Sequence, residues 1–230
     1  MRKNLVRYGT ALAGIAAGTL GLAACGVDSN PYLVISAFHR LEIEDDACTW
    51  SDLPVVGGTF DAGISALAGG VGGTYTQYVR LDNMMLPTDD EAEQRLNTTW
   101  IQLTEFEISF DRTEPWGFLP ESRTVPTAFV AQSESENYVP VPAFDSQLAK
   151  LMIEGPGSPI AAEFSCADLI VTYKARGVMG DGTEVESNAV DFPMTICNGA
   201  VRCPPGFLAK GCSFVQPDGF ICEEPEETTP

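Results

Sequence analysis

Apolar and polar side chains alternate with a period of two along much of this chain, and this pattern predicts β-strands. The clearest example is Trp100–Asp111. One face of this predicted strand carries Trp100, Gln102, Thr104, Phe106, Ile108 and Phe110, and the other carries Ile101, Leu103, Glu105, Glu107 and Ser109. The first face is fully apolar from Phe106 onward, so we expect that side to pack into a core.

The best predicted hairpin covers Phe164–Ile196. Its first arm alternates apolar residues such as Leu169 and Tyr173 with polar ones. Residues 180–183, with the sequence Gly-Asp-Gly-Thr, have the Asp-Gly chemistry that hairpin turns favour. Glu184–Ile196 is therefore predicted to return as the second arm.

The remaining segments give shorter or weaker signals. Further strands are predicted at Tyr32–Ile43, Thr74–Leu81, Arg123–Gln132 and Tyr138–Val141, and prolines mark the last two as edge strands. Short helical turns are predicted at Pro87–Leu96 and at Asp145–Ile153, with Asp145 as the N-cap of the second. Gly57–Gly73 contains seven glycines but no phosphate-binding pattern. We expect it to be a flexible or hairpin-rich loop.

Many short strands with little helix predict an all-β fold, an antiparallel sandwich. The hairpin Phe164–Ile196 resembles the last two strands of an immunoglobulin-like domain, although the Cys–Trp–Cys spacing of antibody domains is not matched. We assign residues 31–196 to this immunoglobulin-like sandwich. Residues 197–222 are predicted to form a small Cys-rich appendage and residues 223–230 an acidic, disordered tail.

The N-terminal segment has the pattern of an export signal. Three basic residues within positions 1–7 precede the uncharged run Tyr8–Ala24, which is short and Gly-rich for a membrane-spanning helix. Its end, Leu22-Ala23-Ala24-Cys25, resembles the lipobox of bacterial lipoproteins. The resemblance implies a signal peptide at 1–24, cleavage before Cys25, diacylglycerol on the Cys25 thiol and a short tether over 25–30. The alternatives are an ordinary signal peptide with a chance Cys and a loose membrane anchor.

Lipidation would place the protein in the cell envelope. Two or more acyl chains hold a protein on a bilayer stably, whereas one chain binds marginally. Gly26 stands where some inner-membrane lipoproteins carry Asp, which favours the outer membrane, on its periplasmic or surface face. The whole arrangement resembles uncharacterised bacterial lipoproteins with one immunoglobulin-like domain and a Cys-rich end. No activity is implied by that resemblance.

Charge excludes one class of partner. The chain has 32 acidic and 13 basic side chains, and removal of residues 1–24 leaves 10 basic ones and a formal net charge of −22. Nucleic-acid binding needs clustered Lys and Arg, so we expect no nucleic-acid partner. The acidic surface is expected to keep the domain soluble and away from anionic lipid headgroups.

Six cysteines remain beyond Cys25, and an even number in an exported protein suggests disulfides. The candidates are Cys48, Cys166, Cys197, Cys203, Cys212 and Cys222. The last four lack the closely spaced pairs of structural zinc sites, so disulfides are favoured over metal. Those four allow three pairings among themselves, and Cys48 and Cys166 would then pair by elimination.

Catalytic patterns are absent from the sequence. The single histidine, His39, excludes multi-His metal sites, and we interpret it as a packed or surface strand residue. Asp45-Asp46 and Asp89-Asp90 are calcium candidates by residue type alone. We interpret Trp50, Trp100 and Trp116 as core or loop anchors, with exposure of Trp116 for stacking on sugar as an alternative. We expect no metal, no cofactor and no catalytic residue.

Two functions remain after this search. The first is a non-catalytic envelope lipoprotein that binds protein or polysaccharide or serves as an accessory module. The second is a lipid-anchored hydrolase acting on envelope polysaccharide through paired carboxylates. The lipobox and the absence of catalytic motifs favour the first.

Overall fold

A computed structural model describes residues 32–44, 47–68, 73–85, 99–133, 135–199, 208–212, 215–216 and 220–223. These residues are mostly β-structure, which confirms the all-β prediction at that level. The strands are β1 Leu33–His39, β2 Leu41–Glu44, β3 Ala47–Trp50, β4 Gly58–Asp61, β5 Tyr75–Asn83, β6 Ile101–Phe110, β7 Ser122–Pro126, β8 Val130–Ala131, β9 Asn137–Phe144, β10 Cys166–Met179, β11 Glu184–Glu186, β12 Val190–Cys197, β13 Leu208–Gly211 and β14 Phe220–Glu223. The helices are α1 Ala62–Ala68 and α2 Ser146–Glu154.

The strands form two main sheets. The small sheet has the order β1-β5-β9, and the large sheet has the order β4-β12-β10-β6-β7, with β11 paired to β10 and β8 paired to β6. All of these pairs are antiparallel except β4 with β12. β9 and β7, which carry the prolines, lie at sheet edges as predicted. Two separate hairpins, β2-β3 and β13-β14, complete the described strands.

The predicted hairpin over Phe164–Ile196 is confirmed. The first part of β10 pairs with β12, from Cys166 opposite Cys197 to Tyr173 opposite Val190. Beyond that point β10 pairs with β11, and a turn at residues 180–183 joins them. β10 also pairs with β6 on its other side, so it is the central strand of the large sheet.

Aromatic side chains join the two sheets across a shared core. The rings of Phe38 and Phe192, from β1 and β12, lie 4.6 Å apart between centroids. Phe60 of β4 and Phe144 of β9 are stacked at 5.0 Å. Such pairs contribute about 0.5–1.5 kcal/mol beyond the area they bury. The inner faces of the two sheets are therefore packed against each other.

A β-bulge in β6 changes which face of the strand is buried. Leu103 lies opposite Gly177 and Glu105 opposite Arg176, so Thr104 is an extra residue with no counterpart in β10. Ile101 and Leu103 are consequently buried together with Phe106. The prediction that Ile101 and Leu103 share a face with Glu105 is therefore wrong, because the bulge shifts the phase of the alternation.

The prediction of a flexible or hairpin-rich loop over Gly57–Gly73 is wrong for the part that is described. Residues 58–61 form β4 and residues 62–68 form α1. Gly58 is required there because a Cβ would overlap the Tyr75 hydroxyl. The side chain of Asp61 is fully buried and accepts hydrogen bonds from the backbone N–H groups of Ile64 and Gly199, both at 3.0 Å. Asp61 thereby fixes the start of α1 next to the end of β12.

The predicted helix with Asp145 as its N-cap is confirmed as α2. The Asp145 carboxyl accepts from the backbone N–H groups of Gln147 at 3.1 Å and Leu148 at 2.9 Å, which satisfies two of the four unpaired donors at a helix start. The helix at Pro87–Leu96 and residues 1–31 lie outside the described residues. Of the predicted tail, Glu223 ends β14 and residues 224–230 lie outside them.

The outer edge of β1 is closed by side-chain and backbone contacts. Asn188, between β11 and β12, accepts from the Ile35 N–H at 2.8 Å and donates to the Ile35 carbonyl at 3.2 Å. Further along β1, the Val55 N–H donates to the Phe38 carbonyl at 2.8 Å and the Ser51 N–H to the Arg40 carbonyl at 3.0 Å. The amide of Asn188 therefore replaces a neighbouring strand at one point of the edge.

We predict that Asn188→Ala lowers the free energy of unfolding by about 1–3 kcal/mol, because it leaves a partly buried N–H and C=O of Ile35 without partners. Urea denaturation measures the loss. Glu184→Ala, an exposed substitution in the neighbouring β11, is the matched control and should change stability by under about 0.5 kcal/mol. Equal effects of the two substitutions would contradict this role of Asn188.

Candidate interaction surfaces

Two disulfides are present in the described residues, which confirms disulfide chemistry for four of the six predicted cysteines. Cys166 and Cys197 bridge the start of β10 and the end of β12, where they lie directly opposite each other with Cα atoms 4.1 Å apart. Cys48 of β3 is bonded to Cys212, with Cα atoms 5.6 Å apart. The prediction that Cys48 pairs with Cys166 is wrong, because β12 brings Cys197 to the only position across the ladder from Cys166.

The segment after β13 is held against the sheets. Val215 is fully buried, and its carbonyl accepts from the Asp61 N–H at 3.1 Å. Gln216 donates to the Thr76 carbonyl of β5 at 2.8 Å. The Cys48–Cys212 bond closes 164 residues of chain, which corresponds to about 5 kcal/mol in the chain-entropy model. Part of the predicted Cys-rich appendage therefore packs into the core of the domain.

Several predicted site residues cannot be placed. Cys25, Cys203, Asp45-Asp46 and Asp89-Asp90 lie outside the described residues, and of Cys222 only the backbone, within β14, is described. Among the residues that are described, no group of three or more His, Cys, Asp or Glu side chains is arranged to hold a metal ion. No helix in the same part of the chain is long and apolar enough to cross a membrane.

The suggestion that Trp116 is exposed for sugar stacking is wrong. Only 2% of Trp116 is exposed, and its indole N–H donates to the Asp168 carbonyl at 2.6 Å. The ring also lies 5.9 Å from that of Phe118. Trp116 therefore anchors the loop after β6 to β10 and has no free face for a ligand.

His39 is a packed strand residue, as predicted. Its Nδ1 lies 2.9 Å from the Ser51 carbonyl, and since a carbonyl can only accept, Nδ1 carries the proton. Its Nε2 is buried without a hydrogen-bond partner among the described residues, and the ring meets Tyr138 edge-on at 5.0 Å. His39 therefore holds the chain after β3 against the small sheet.

The outward face of the large sheet carries a cluster of charged side chains, which we call the Arg176 cluster. Its members are Lys174 and Arg176 of β10, Glu105 and Glu107 of β6, and Glu186 of β11. The Arg176 guanidinium contacts Glu105 at 3.1 Å, Glu107 at 2.7 Å and Glu186 at 2.9 Å, while Lys174 pairs with Glu186. One arginine therefore holds three carboxylates from two neighbouring strands.

These contacts shift the pKa values of both partners. Hydrogen bonds to Glu105 and then Glu186 raise the pKa of Arg176, and the bond from Lys174, followed by the one from Arg176, lowers the pKa of Glu186. Exposed ion pairs contribute under about 1 kcal/mol each. The cluster thus fixes the orientation of its side chains more than it stabilises the fold.

The same face continues towards the Cys166–Cys197 bond as a polar strip around one apolar residue. Thr172 donates to Asp191 at 2.6 Å, and Thr195 donates to Asp168 at 3.0 Å. Ile170 lies between these two pairs and is 45% exposed, opposite Pro193 of β12. Ordered polar pairs around an exposed aliphatic side chain are chemically suited to contact another protein.

Sequence alternation indicated that Lys174 and Arg176 face outward but did not identify their partners. The Glu residues come from β6 and β11, and the pairing registers of these two strands with β10 bring them to Arg176. No protein-family model and no curated protein matches the chain. The surfaces themselves are therefore the basis for a functional proposal.

One ion pair joins the two sheets at the opposite corner from Asn188. Arg123 of β7 donates to the Ala143 carbonyl at 3.2 Å and to the Asp145 carboxylate at 3.0 Å. Burial alone would raise the pKa of Asp145, but the N–H groups of Leu148 and Gln147 and the charge of Arg123 outweigh it, so the pKa is lowered.

A lowered pKa in the folded state means that Asp145 stabilises the fold above its unfolded pKa of about 3.9 and loses this contribution as the pH falls through the folded value. We predict that Asp145→Asn destabilises the protein near neutral pH and that this difference shrinks below about pH 4. Asn retains the N-cap acceptor, so the change isolates the charge. Thermal unfolding against pH measures it, with exposed Glu154→Gln as control; a constant difference across the acid range would contradict the prediction.

Proposed function

We propose that the protein is a non-catalytic, membrane-anchored lipoprotein of the cell envelope whose folded domain binds another envelope protein. The anchor in this proposal is a lipid on Cys25, which rests on the resemblance of Leu22-Ala23-Ala24-Cys25 to a lipobox. The binding surface is the outward face of the large sheet. The observation that carries the binding role is the exposed Ile170 between two ordered Thr–Asp pairs.

We further propose that the domain is immunoglobulin-like. In such domains strands A, B and E share one sheet, and strands C, F and G share the other. The order β1-β5-β9 corresponds to A-B-E, and the order β12-β10-β6 corresponds to G-F-C. The placement of α2 between β9 and β10 fits the crossover between strands E and F. The likeness concerns strand order and implies no activity.

The hydrolase alternative has no supporting observation. A paired-carboxylate glycosidase needs one carboxyl group with a raised pKa to act as the acid. In the described part of the chain, the carboxyl groups with a shifted pKa are all shifted downward: Glu42, Asp145, Asp181 and Glu186. We therefore keep the binding proposal alone.

Cys25→Ala tests the anchor. We expect this variant to leave the membrane fraction, because the thiol that would receive diacylglycerol is lost. Ser29→Ala, four residues further along the tether, is the matched control and should stay with the membrane. Fractionation of cells followed by immunoblotting measures both, and retention of Cys25→Ala in the membrane would sink the lipoprotein proposal.

A photo-crosslinking amino acid at Ile170 tests the binding face. We expect it to capture a specific envelope protein on intact cells, because the side chain projects from the large sheet into solvent. The same probe at Ser36, an exposed residue of β1, is the control and should not capture that protein. Identical products from both positions, or none from Ile170, would count against this surface.

A further inference from the structure

One end of the domain brings together exposed aromatic and aliphatic side chains from four separate segments. We call it the Tyr32 end and define it by Tyr32, Met84, Trp100 and Val130. Tyr32 precedes β1, Met84 follows β5, Trp100 precedes β6, and Val130 lies in β8. These residues come from both sheets, yet all four lie at the same end of the domain, because β1 and β5 run antiparallel.

Hydrogen bonds establish that the four segments are neighbours. The Met84 N–H donates to the Tyr32 carbonyl at 2.8 Å, and Val130 lies opposite Gln102, two residues beyond Trp100. Buried Asn83 then links the sheets, because its amide donates to the carbonyls of Thr99 at 2.8 Å and Ala131 at 3.0 Å. The Tyr32 end is therefore a fixed surface of the fold.

The side chains at this end are unusually exposed for their type. Tyr32 is 52% exposed, Met84 60%, Trp100 37% and Val130 40%. Tyr and Trp combine an apolar ring with a polar group, which suits the boundary between lipid headgroups and acyl chains. A group of apolar side chains exposed to solvent in the isolated domain is expected to contact a protein, a ligand or a membrane in the cell.

Chain length connects this surface to the proposed anchor. Cys25 precedes Tyr32 by seven residues, which span at most about 25 Å when fully extended. A lipid on Cys25 would therefore keep Tyr32 within that distance of the bilayer surface. The end of the domain at which the described chain begins is also the end that carries exposed Tyr, Trp and Met side chains.

We propose that the Tyr32 end rests on the bilayer that holds the anchor, with Trp100, Tyr32, Met84 and Val130 at the headgroup–acyl boundary. This inference depends on the proposed lipidation of Cys25. It adds an orientation that lipidation alone does not impose, since a tether of this length also permits a domain that stands clear of the membrane.

The charges at this end select the type of lipid. Asp181 and Glu184 flank the β10–β11 turn, which lies beyond the pairing of Met179 with Ile101 at the same end. Arg80 of β5, three residues before Asn83, is already paired with Asp82 and Glu136, and Arg176 of β10, three residues before Met179, is paired with Glu105, Glu107 and Glu186. Acidic groups without a surplus of cations repel anionic headgroups. The surface therefore fits a zwitterionic bilayer.

The test uses the mature lipidated protein reconstituted into phosphatidylcholine vesicles with brominated acyl chains. We expect the brominated lipid to quench part of the tryptophan fluorescence and Trp100→Phe to abolish that part, because indole inserted at the boundary meets the bromines. Flotation of the vesicles reports attachment separately. Adding phosphatidylglycerol should reduce the quenching, and an increase would overturn the assignment to zwitterionic lipid.

Two double variants separate insertion from general surface effects. Tyr32→Ser with Met84→Ser should reduce the quenching of Trp100, while Leu53→Ser with Val56→Ser should leave it unchanged. Leu53 and Val56 are more exposed, at 75% and 88%, but lie beside the other half of β1. Flotation without quenching of Trp100 would overturn this inference and leave the lipoprotein proposal intact, whereas failure to float would overturn both.

Discussion

The two-sheet arrangement depends on the hydrogen bonds that close the outer edge of β1. An open strand edge exposes unpaired N–H and C=O groups, and these groups need hydrogen-bond partners wherever they are buried. Here Asn188 supplies both a donor and an acceptor to Ile35, and the chain at Ser51 and Val55 supplies donors further along. These contacts keep β1 over the large sheet, so Phe38 reaches Phe192 and Tyr173 in the core. Shortly after Val55 the chain enters β4, which belongs to the large sheet and pairs with β12.

Strand positions follow from the sequence because alternation is a local property of the chain. β10, α2 and the turn at residues 180–183 were predictable, since each depends on residues within one short segment. The burial of Ile101 and Leu103 was not, because the bulge at Thr104 forms only when β6 meets β10. The same limit applies to the Arg176 cluster. Alternation predicts that Lys174 and Arg176 face outward, but their carboxylate partners are set by the pairing of β6 and β11 with β10.

Contacts between residues that are distant along the chain could not be predicted from the sequence. Cys48 meets Cys212 across 164 residues, and no local pattern distinguishes that pairing from the alternatives. The sequence indicates Trp116 as a core or loop anchor, but not its hydrogen-bond acceptor, the Asp168 carbonyl of β10, which lies 52 residues later. Gly58 was assigned to a flexible segment for its composition, yet its missing side chain leaves room for the Tyr75 hydroxyl. In each case a tertiary contact determines the structural role of the residue, which its type alone does not indicate.

The two proposed surfaces are compatible because they occupy different parts of the same architecture. The Tyr32 end lies across the ends of the strands, whereas Ile170 and the Arg176 cluster lie along the flank of β10, the central strand of the large sheet. Resting the domain on a bilayer by one end would leave that flank facing the aqueous compartment. The acidic surface would act in the same direction, since a chain with 32 acidic side chains is repelled by anionic headgroups wherever it lacks apolar contact. Apolar attachment at the end and electrostatic repulsion elsewhere would together hold the binding face at the side of the domain, where a neighbouring envelope protein can reach it.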